Sequence, residues 1–345
     1  MSAEVQHELV IPATIQYESN SAFLSDNATS VYKKILTPHF ISSIRDERNL
    51  WTADFSYHIE RSSDTNISED RNDPAVELGW VHEFETGNLS LNLRHEEGST
   101  RETELNDTGF ISVDGTRKSK SASISWLKNL SEVFSFGLNG SGTETTYQNI
   151  DLIDYTTRAL TARMNYRTTE TLLIFLEAGK TRYESIDNQE RSDSKQMNIG
   201  SQLDISDNTV AILSIGVSET ENLDGEGREN QGSFTLNFEE DRIEYSFTLS
   251  RTISPSGPGG FSKADQFIGN AVYAVDEISN IGFELNYRKN FDIDENKTRI
   301  VSINYNHELG EQWNFTITGS RSEAESNISD VISNDILSIS MSYTI

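Results

Sequence analysis

The residues of this chain that could do chemistry are scattered. Six histidines, His7, His39, His58, His82, His95 and His307, fall one to a segment with no two at metal-ligand spacing, which predicts structural or surface roles. Cysteine is absent, so a disulfide framework, a thiolate metal site and a thiol nucleophile are excluded. GEGREN (225–230) and GPGG (257–260) carry no Lys-Ser/Thr of a phosphate loop and lead into no helix, and they read as loop tips. No G-x-S-x-G elbow occurs. DGE (224–226) and SED (68–70) lack the spacing of a calcium loop. Asn66-Ile67-Ser68 and Asn327-Ile328-Ser329 are triplets that a chain rich in Asn, Ser and Thr produces by chance. No catalytic, cofactor-binding or metal-ligating residue is assigned, and no cofactor is expected.

What remains is a set of charges placed between apolar residues two apart. Asp54, Glu60, Glu77, Glu83, Glu177, Asp204, Glu244 and Glu284 share this phase with Arg94, Arg163 and Arg288. Alternation sends successive side chains of a strand to opposite faces, so these charges share the polar face. Two carboxylates brought close there could serve as acid and base. On the wall of a wet pore the same charges tune selectivity and need no special pKa.

The elements that must position them are strands. DILSISMSYTI (335–345) places Leu337, Ile339, Met341, Tyr343 and Ile345 on one face and Ser338, Ser340, Ser342 and Thr344 on the other. The same period recurs at Trp51 to Ile59, Leu89 to Leu93, Phe134 to Leu138, Leu160 to Tyr166, Ala211 to Val217 and Ile281 to Tyr287, with very little helical periodicity anywhere. Such segments number about eighteen, each roughly ten to fourteen residues, the length of a tilted membrane-spanning barrel strand rather than of a sandwich strand. Tight turns at RDERN (45–49), TGN (86–88), KNLSE (128–132), TTE (168–170), SDN (206–208), EED (239–241), EISN (277–280) and LGEQ (309–312) alternate with longer acidic stretches such as SSDTNISEDRND, NDTGFISVDGT and NLDGEGREN. The expected fold is all-β, a single closed antiparallel transmembrane β-barrel over residues 1–345, with short periplasmic turns and longer acidic extracellular loops. Residues 1–7 are expected as a periplasmic tail. The last strand runs to the chain end because it closes on the first and leaves no unpaired edge in lipid. Trp51, Trp126 and Trp313 lie beside short turns, as an interfacial aromatic belt requires, whereas Trp80 falls nearer mid-strand.

Composition agrees. The 345 residues carry 55 Asp and Glu against 28 Lys and Arg, a net charge of −27, which argues against a nucleic-acid partner. A mean hydropathy of −0.53 suits half-polar strands, and no apolar run is long enough for a membrane helix. MSAEVQHELV has no signal-peptide core, so the sequence reads as an exported, mature chain given a new initiator Met, resident in the bacterial outer membrane. Outer-membrane lipid and lipopolysaccharide are its expected partners. Pro12 and Pro38 sit inside apparent strands, where proline lacks the ladder donor. A hairpin turning near Ser25 sets them roughly opposite each other and predicts a locally broken or bulged ladder.

IPATIQYESN (11–20), a polar loop and LTPHF (36–40) resemble the opening hairpin of proteobacterial exopolysaccharide-export barrels. That resemblance implies a channel through which a polysaccharide leaves the cell, with a polysaccharide substrate and periplasmic export components as partners. The alternatives are a general diffusion porin for small solutes, or a structural or receptor barrel with ligand-binding loops. The expected pore-lining residues are Arg94, Arg163, Glu244, Glu284, Arg288, Ser302, Asn304, Thr316 and Ser340, a wall of both charge signs and of hydroxyl and amide groups, only mildly cation-selective.

Overall fold

The structure is a computed structural model describing residues 4–107, 114–150, 152–187, 190–222, 225–255, 260–291, 296–326 and 331–345. DGE (224–226) lies partly, and GPGG (257–260) mostly, outside the described residues, as does the Asn327-Ile328-Ser329 triplet.

The strands are β1 (Glu4–Glu18), β2 (Val31–Leu36), β3 (His39–Arg45), β4 (Asn49–Ser62), β5 (Arg71–Phe84), β6 (Gly87–Ser99), β7 (Thr116–Asn129), β8 (Phe134–Gln148), β9 (Tyr155–Arg167) and β10 (Leu172–Ser185). They continue with β11 (Arg191–Ser206), β12 (Thr209–Asn222), β13 (Gly225–Glu240), β14 (Ile243–Pro255), β15 (Phe261–Ala274), β16 (Ser279–Asn290), β17 (Asn296–Glu308), β18 (Trp313–Ser326) and β19 (Ile332–Thr344). Among the described residues there is one helix, α1 (Thr100–Asp107), which follows β6. Each strand pairs antiparallel with its sequence neighbour, and β1 pairs with β19 from Val10↔Thr344 to Glu18↔Ile336. Reciprocal bonds between Leu9 and Ile345, at 3.1 and 2.9 Å, finish the seam, so the alternating C-terminal segment closes the sheet.

β2 and β3 are two halves of one strand, which makes the barrel eighteen-stranded. Both halves pair with β1 in a single register, Ala13↔Leu36 and Val10↔His39, and both pair with β4 in a single register, Leu36↔Ile59 and His39↔Ser56. The ladder is therefore broken without a bulge. Pro12 C=O accepts from Thr37 N–H and Pro38 C=O accepts from Tyr57 N–H, each at 3.1 Å. Each proline deletes the return bond from its own missing N–H.

Alternation decides which face meets lipid. Leu337, Ile339 and Met341 are exposed, as are Leu160, Met197, Leu213 and Ile215, while the intervening polar residues hydrogen-bond to one another across strands. A closed barrel with an apolar outer face and a polar inner one is a membrane-spanning barrel of the outer-membrane kind. No described helix is long and apolar enough to cross a membrane.

Turns of two to four residues at 46–48, 85–86, 130–133, 168–171, 207–208, 241–242, 275–278 and 309–312 mark one rim. Aromatic pairs gather there: Trp51 with Trp80 at 5.5 Å, Trp126 with Phe136 at 6.2 Å, Phe238 with Tyr245 at 4.8 Å and Trp313 with Tyr343 at 4.6 Å. Trp80 thus belongs to the belt. It sits directly opposite Trp51, four residues from the end of β5, a placement that only the register reveals.

Three further expectations are corrected. Residues 4–7 are no tail, because Glu4–His7 pair with Ser42–Arg45 and extend β1. GEGREN opens β13 rather than capping a loop. The loop around NDTGFISVDGT is preceded by α1, in a chain that showed almost no helical period.

Candidate channel and its constriction

Eighteen strands spaced ~4.8 Å apart and tilted ~40° close on a ring roughly 35 Å across between backbones. Wall side chains alone leave a wide hole, so selectivity depends on whatever enters it. Among the described residues two connections do so, the segment after β1 and the segment carrying α1.

Asn20 fixes the first. Its amide donates to Leu24 C=O (2.9 Å) and Ser333 C=O (3.1 Å), its side-chain oxygen accepts from Leu24 N–H (3.0 Å), and its own N–H donates to Asn334 (2.8 Å). The turn so made holds Phe23 at φ 49° and buries its ring. The second connection is clamped at its base. The buried Arg71 donates to Asp73 at 2.7 Å and to Gly115 C=O at 2.9 Å, while Asp114 accepts from Ser99 Oγ (3.0 Å) and Glu69 N–H (3.1 Å).

From that clamp α1 reaches into the lumen. Arg101 donates to Ser21 C=O at 2.8 Å and faces Ile67 C=O at 3.3 Å, tying the two inward segments together. Glu104, fully buried, accepts from Tyr147 Oη of β8 at 2.8 Å. Tyr147 packs with Tyr155 and Tyr183 in the one buried aromatic cluster of the described residues. STRE (99–102) has the spacing of a capping box, the one sequence signal that could have announced this helix. The Ser99 hydroxyl goes to Asp114 instead. Glu102 in the first turn suits the positive end of the helix dipole.

Between α1 and the wall lies a cavity of about 310 Å³ lined by Gln16, Lys33, Glu60, Phe23, Glu102 and Ser338, among others. Its centre is Lys33. The ammonium stands 2.8 Å from Glu18, 3.2 Å from Glu60 and 3.8 Å from Glu102. Three carboxylates surround one ammonium, and with Arg71, Arg101 and Asp114 on the same lining the cavity carries four carboxylates against three cations, a slight negative excess. Lys33, Glu18 and Glu60 are almost wholly buried, while the Glu102 side chain still reaches lumen water. The surrounding wall pushes the Glu102 carboxyl above the ordinary carboxylate range, Lys33 pulls it back, and Glu60 and Glu18 push it further up. His58 lies between Thr37 (3.2 Å) and Glu60 (3.4 Å), and His39 pairs with Asp54. Of these groups only Glu60 and Asp54 stood among the lumen charges read from alternation. Lys33 and Glu18 lie near strand ends and Glu102 in α1, where no strand phase could assign them.

The residues expected to line the pore all fall on the polar face, in two different settings. Arg94 lies 2.5 Å from Glu96 and 3.9 Å from Glu77. Arg163 lies 3.9 Å from Glu177, donates to Asn165 at 2.9 Å, and stacks over the Phe175 ring at 3.8 Å. Gly200 makes that ring possible, since a Cβ there would meet Phe175 at 2.3 Å. Arg288 is buried against Asn290 at 2.8 Å. These guanidiniums are held to the wall. Glu244 and Glu284 are freer, and the register sets Glu244 opposite Val272 and Glu284 between Asn270 and Ser302 along the ring. Asn304 lies opposite Gly282, and Thr316 opposite Ser340. Thr14 donates to Ser340 at 2.9 Å, Thr316 to Asn306 at 2.8 Å, and Asn306 to Asn280 at 2.9 Å. Much of the hydroxyl and amide wall is thus bonded to itself. Among the described residues no group of three or more His, Asp or Glu could hold a metal ion.

No family model matches the chain, and no curated protein does. Solved structures do. OpdK of Pseudomonas aeruginosa, crystallised with vanillate, superposes with a TM-score of 0.56 at 10% identity over 99% of this chain and 98% of its own. OpdO of Pseudomonas aeruginosa gives 0.56 at 10% identity over 99% and 97%. A BenF-like porin from Pseudomonas fluorescens Pf-5 gives 0.55 at 9% identity over 99% and 98%. At such identity the likeness is one of fold, and the fold of this chain is that of a bacterial outer-membrane porin.

Proposed function

We propose that the chain is a passive diffusion channel for small solutes that favours cationic and neutral polar ones, its lumen lined by Arg94, Arg163, Glu244, Glu284, Arg288, Ser302, Asn304, Thr316 and Ser340. The observation that carries this reading is the constriction itself, where Glu18, Glu60 and Glu102 converge on the single ammonium of Lys33. A narrow site with low-dielectric walls focuses such a charge, so it outweighs the more distant loop carboxylates, which salt screens within about 8 Å. The wall arginines offset little of it, because Arg94 and Arg163 already face carboxylates. The vanillate of one structural neighbour is a carboxylate, and the acidic constriction here disfavours that charge.

Export of an exopolysaccharide, the expectation drawn from the first hairpin, finds no support. The structural likenesses are to porins, and α1 with the segment after β1 occupies the lumen where a polymer would pass. The test is the reversal potential in a planar bilayer under a potassium chloride gradient. The expected outcome is a potential of the cation-selective sign that shrinks in Glu102→Gln. An anion-selective potential would overturn the reading, and lost extracellular polysaccharide on gene deletion would restore the export one.

A further inference from the structure

Charges on the outer wall towards the extracellular rim are mostly compensated across strands. Arg299 faces Glu323, Arg321 faces Asp335, Lys297 faces Glu325 and Lys120 faces Glu144. Lys289 also stands opposite Lys297, but there Glu325 holds the Lys297 ammonium at 3.1 Å; on β9, β10 and β11 two such cation pairs stand side by side. Arg158 lies directly opposite Arg182, and Lys180 directly opposite Lys195. Both pairs share the face of Leu160, Leu176 and Met197, all exposed on the outside.

Like charges set directly opposite each other destabilise a sheet. The acids nearby offset only part of the charge. Asp193 takes Arg191 at 2.7 Å, Arg182 at 3.0 Å and Lys180 at 3.6 Å. Glu184 stands opposite Arg191, Glu221 opposite Asp193, and Glu219, opposite Lys195, lies 3.9 Å from Arg228. Arg158 and Lys195 have no ion-pair partner among the described residues. Two opposed cation pairs therefore stand in a protein of net charge −27 with too few acids beside them.

Height tells what anion is at hand. Lys180 is eight residues beyond Leu172, where β10 leaves its short turn. At ~3.3 Å per residue and a tilt near 40°, that is roughly 20 Å up the wall, close to the top of an apolar band about 25 Å tall. Long Lys and Arg stems at that level carry their charges to the headgroup layer of the outer leaflet.

We propose that Arg158, Lys180, Arg182 and Lys195 form a binding site for the phosphate groups of a lipopolysaccharide headgroup. Arginine forks and lysine point charges are the usual cradle for phosphate, and an otherwise acidic surface would repel it. The site is independent of what the channel passes.

The test uses the full chain refolded in detergent, with binding of bis-phosphorylated lipid A, dephosphorylated lipid A and inorganic phosphate measured separately. Arg158→Gln/Lys180→Gln/Lys195→Gln is compared with Lys297→Gln/Arg321→Gln, whose cations already have partners. Arg182 is left in place because Asp193 holds it. The expected result is that the phosphorylated lipid binds best and that the triple variant loses about tenfold or more, as loss of charge-assisted bonds implies, while the control variant does not. Heat-modifiable mobility and unchanged conductance certify the fold, and should the triple variant not fold, single Arg158→Gln carries the comparison with a smaller loss. Equal affinity in variant and parent, or no preference for phosphorylated lipid, would sink the proposal. Inorganic phosphate binding as tightly as the lipid would reassign the patch to a free anion.

Discussion

Replacing Leu213 or its neighbour Ser214 by arginine tests the inside-outside assignment on which every other inference rests. Leu213 is exposed on the outer face of β12, opposite Ser201 and Phe234, and lies four residues above Thr209 at the short-turn rim. At ~2.5 Å of height per residue it sits roughly 10 Å into an apolar band of about 25 Å, near the bilayer midplane. Arginine there should cost about 2–4 kcal/mol, a fall of roughly 30- to 900-fold in the folding equilibrium. Ser214 points inward and shares a 2.8 Å bond with Ser233. Losing that bond costs about 1 kcal/mol or less, since lumen water can take its place. The assay is reversible denaturant unfolding of the protein in lipid vesicles, followed by the fluorescence of Trp51, Trp80, Trp126 and Trp313. Equal losses at both positions would mean that both faces are buried, and a larger loss for Ser214→Arg would invert the barrel. Either result refutes the reasoning.

Lys33→Met strips the ammonium from Glu18, Glu60 and Glu102 and leaves the two buried carboxylates with Gln16 and His58, but no ammonium, beside them. It should cost about 3–5 kcal/mol in the same unfolding assay and strengthen cation preference in bilayers that still hold folded protein. Tyr147→Phe removes one of the contacts that hold Glu104 of α1, Arg117 lying 3.8 Å from the same carboxylate, so single-channel records should show more open-state noise at little cost in stability. Because the Glu102 carboxyl is raised, it gains its proton before ordinary carboxylates as pH falls. Cation selectivity should therefore decline at the upper end of the acid range, and Glu102→Gln should abolish that early step while leaving the later one. For topology, a cysteine at Asn66, exposed beyond β4, should label with an impermeant reagent on intact cells, whereas one at Asp207, in a short turn, should not. Ser68 is a poor probe, being buried against Glu60.

Much of the barrel was legible because its physics is local. A period of two fixes strand and face together, and lipid outside with water inside enforces that period on every strand. The short turns fell where expected, and Leu337 to Ile345 gave the closing strand. Trp80 was misjudged because strand ends are blurred in sequence, and only pairing with Trp51 showed how near the rim it lies. GEGREN was misread because glycine and charge suggest a loop, whereas β12 and β13 carry their ladder out past the membrane, where polar residues are no obstacle. The constriction was out of reach for a different reason. Lys33, Glu18, Glu60 and Glu102 come from β2, β1, β4 and α1, and nothing in their spacing says that they meet. α1 has no apolar stripe to betray a buried face, since ion pairs and the Arg71 clamp hold it. Side-chain alternation, a property of neighbouring residues, was written in the sequence; which loop turns inward, and what charge it brings to the centre of the pore, depended on contacts across the lumen that only the closed barrel could make.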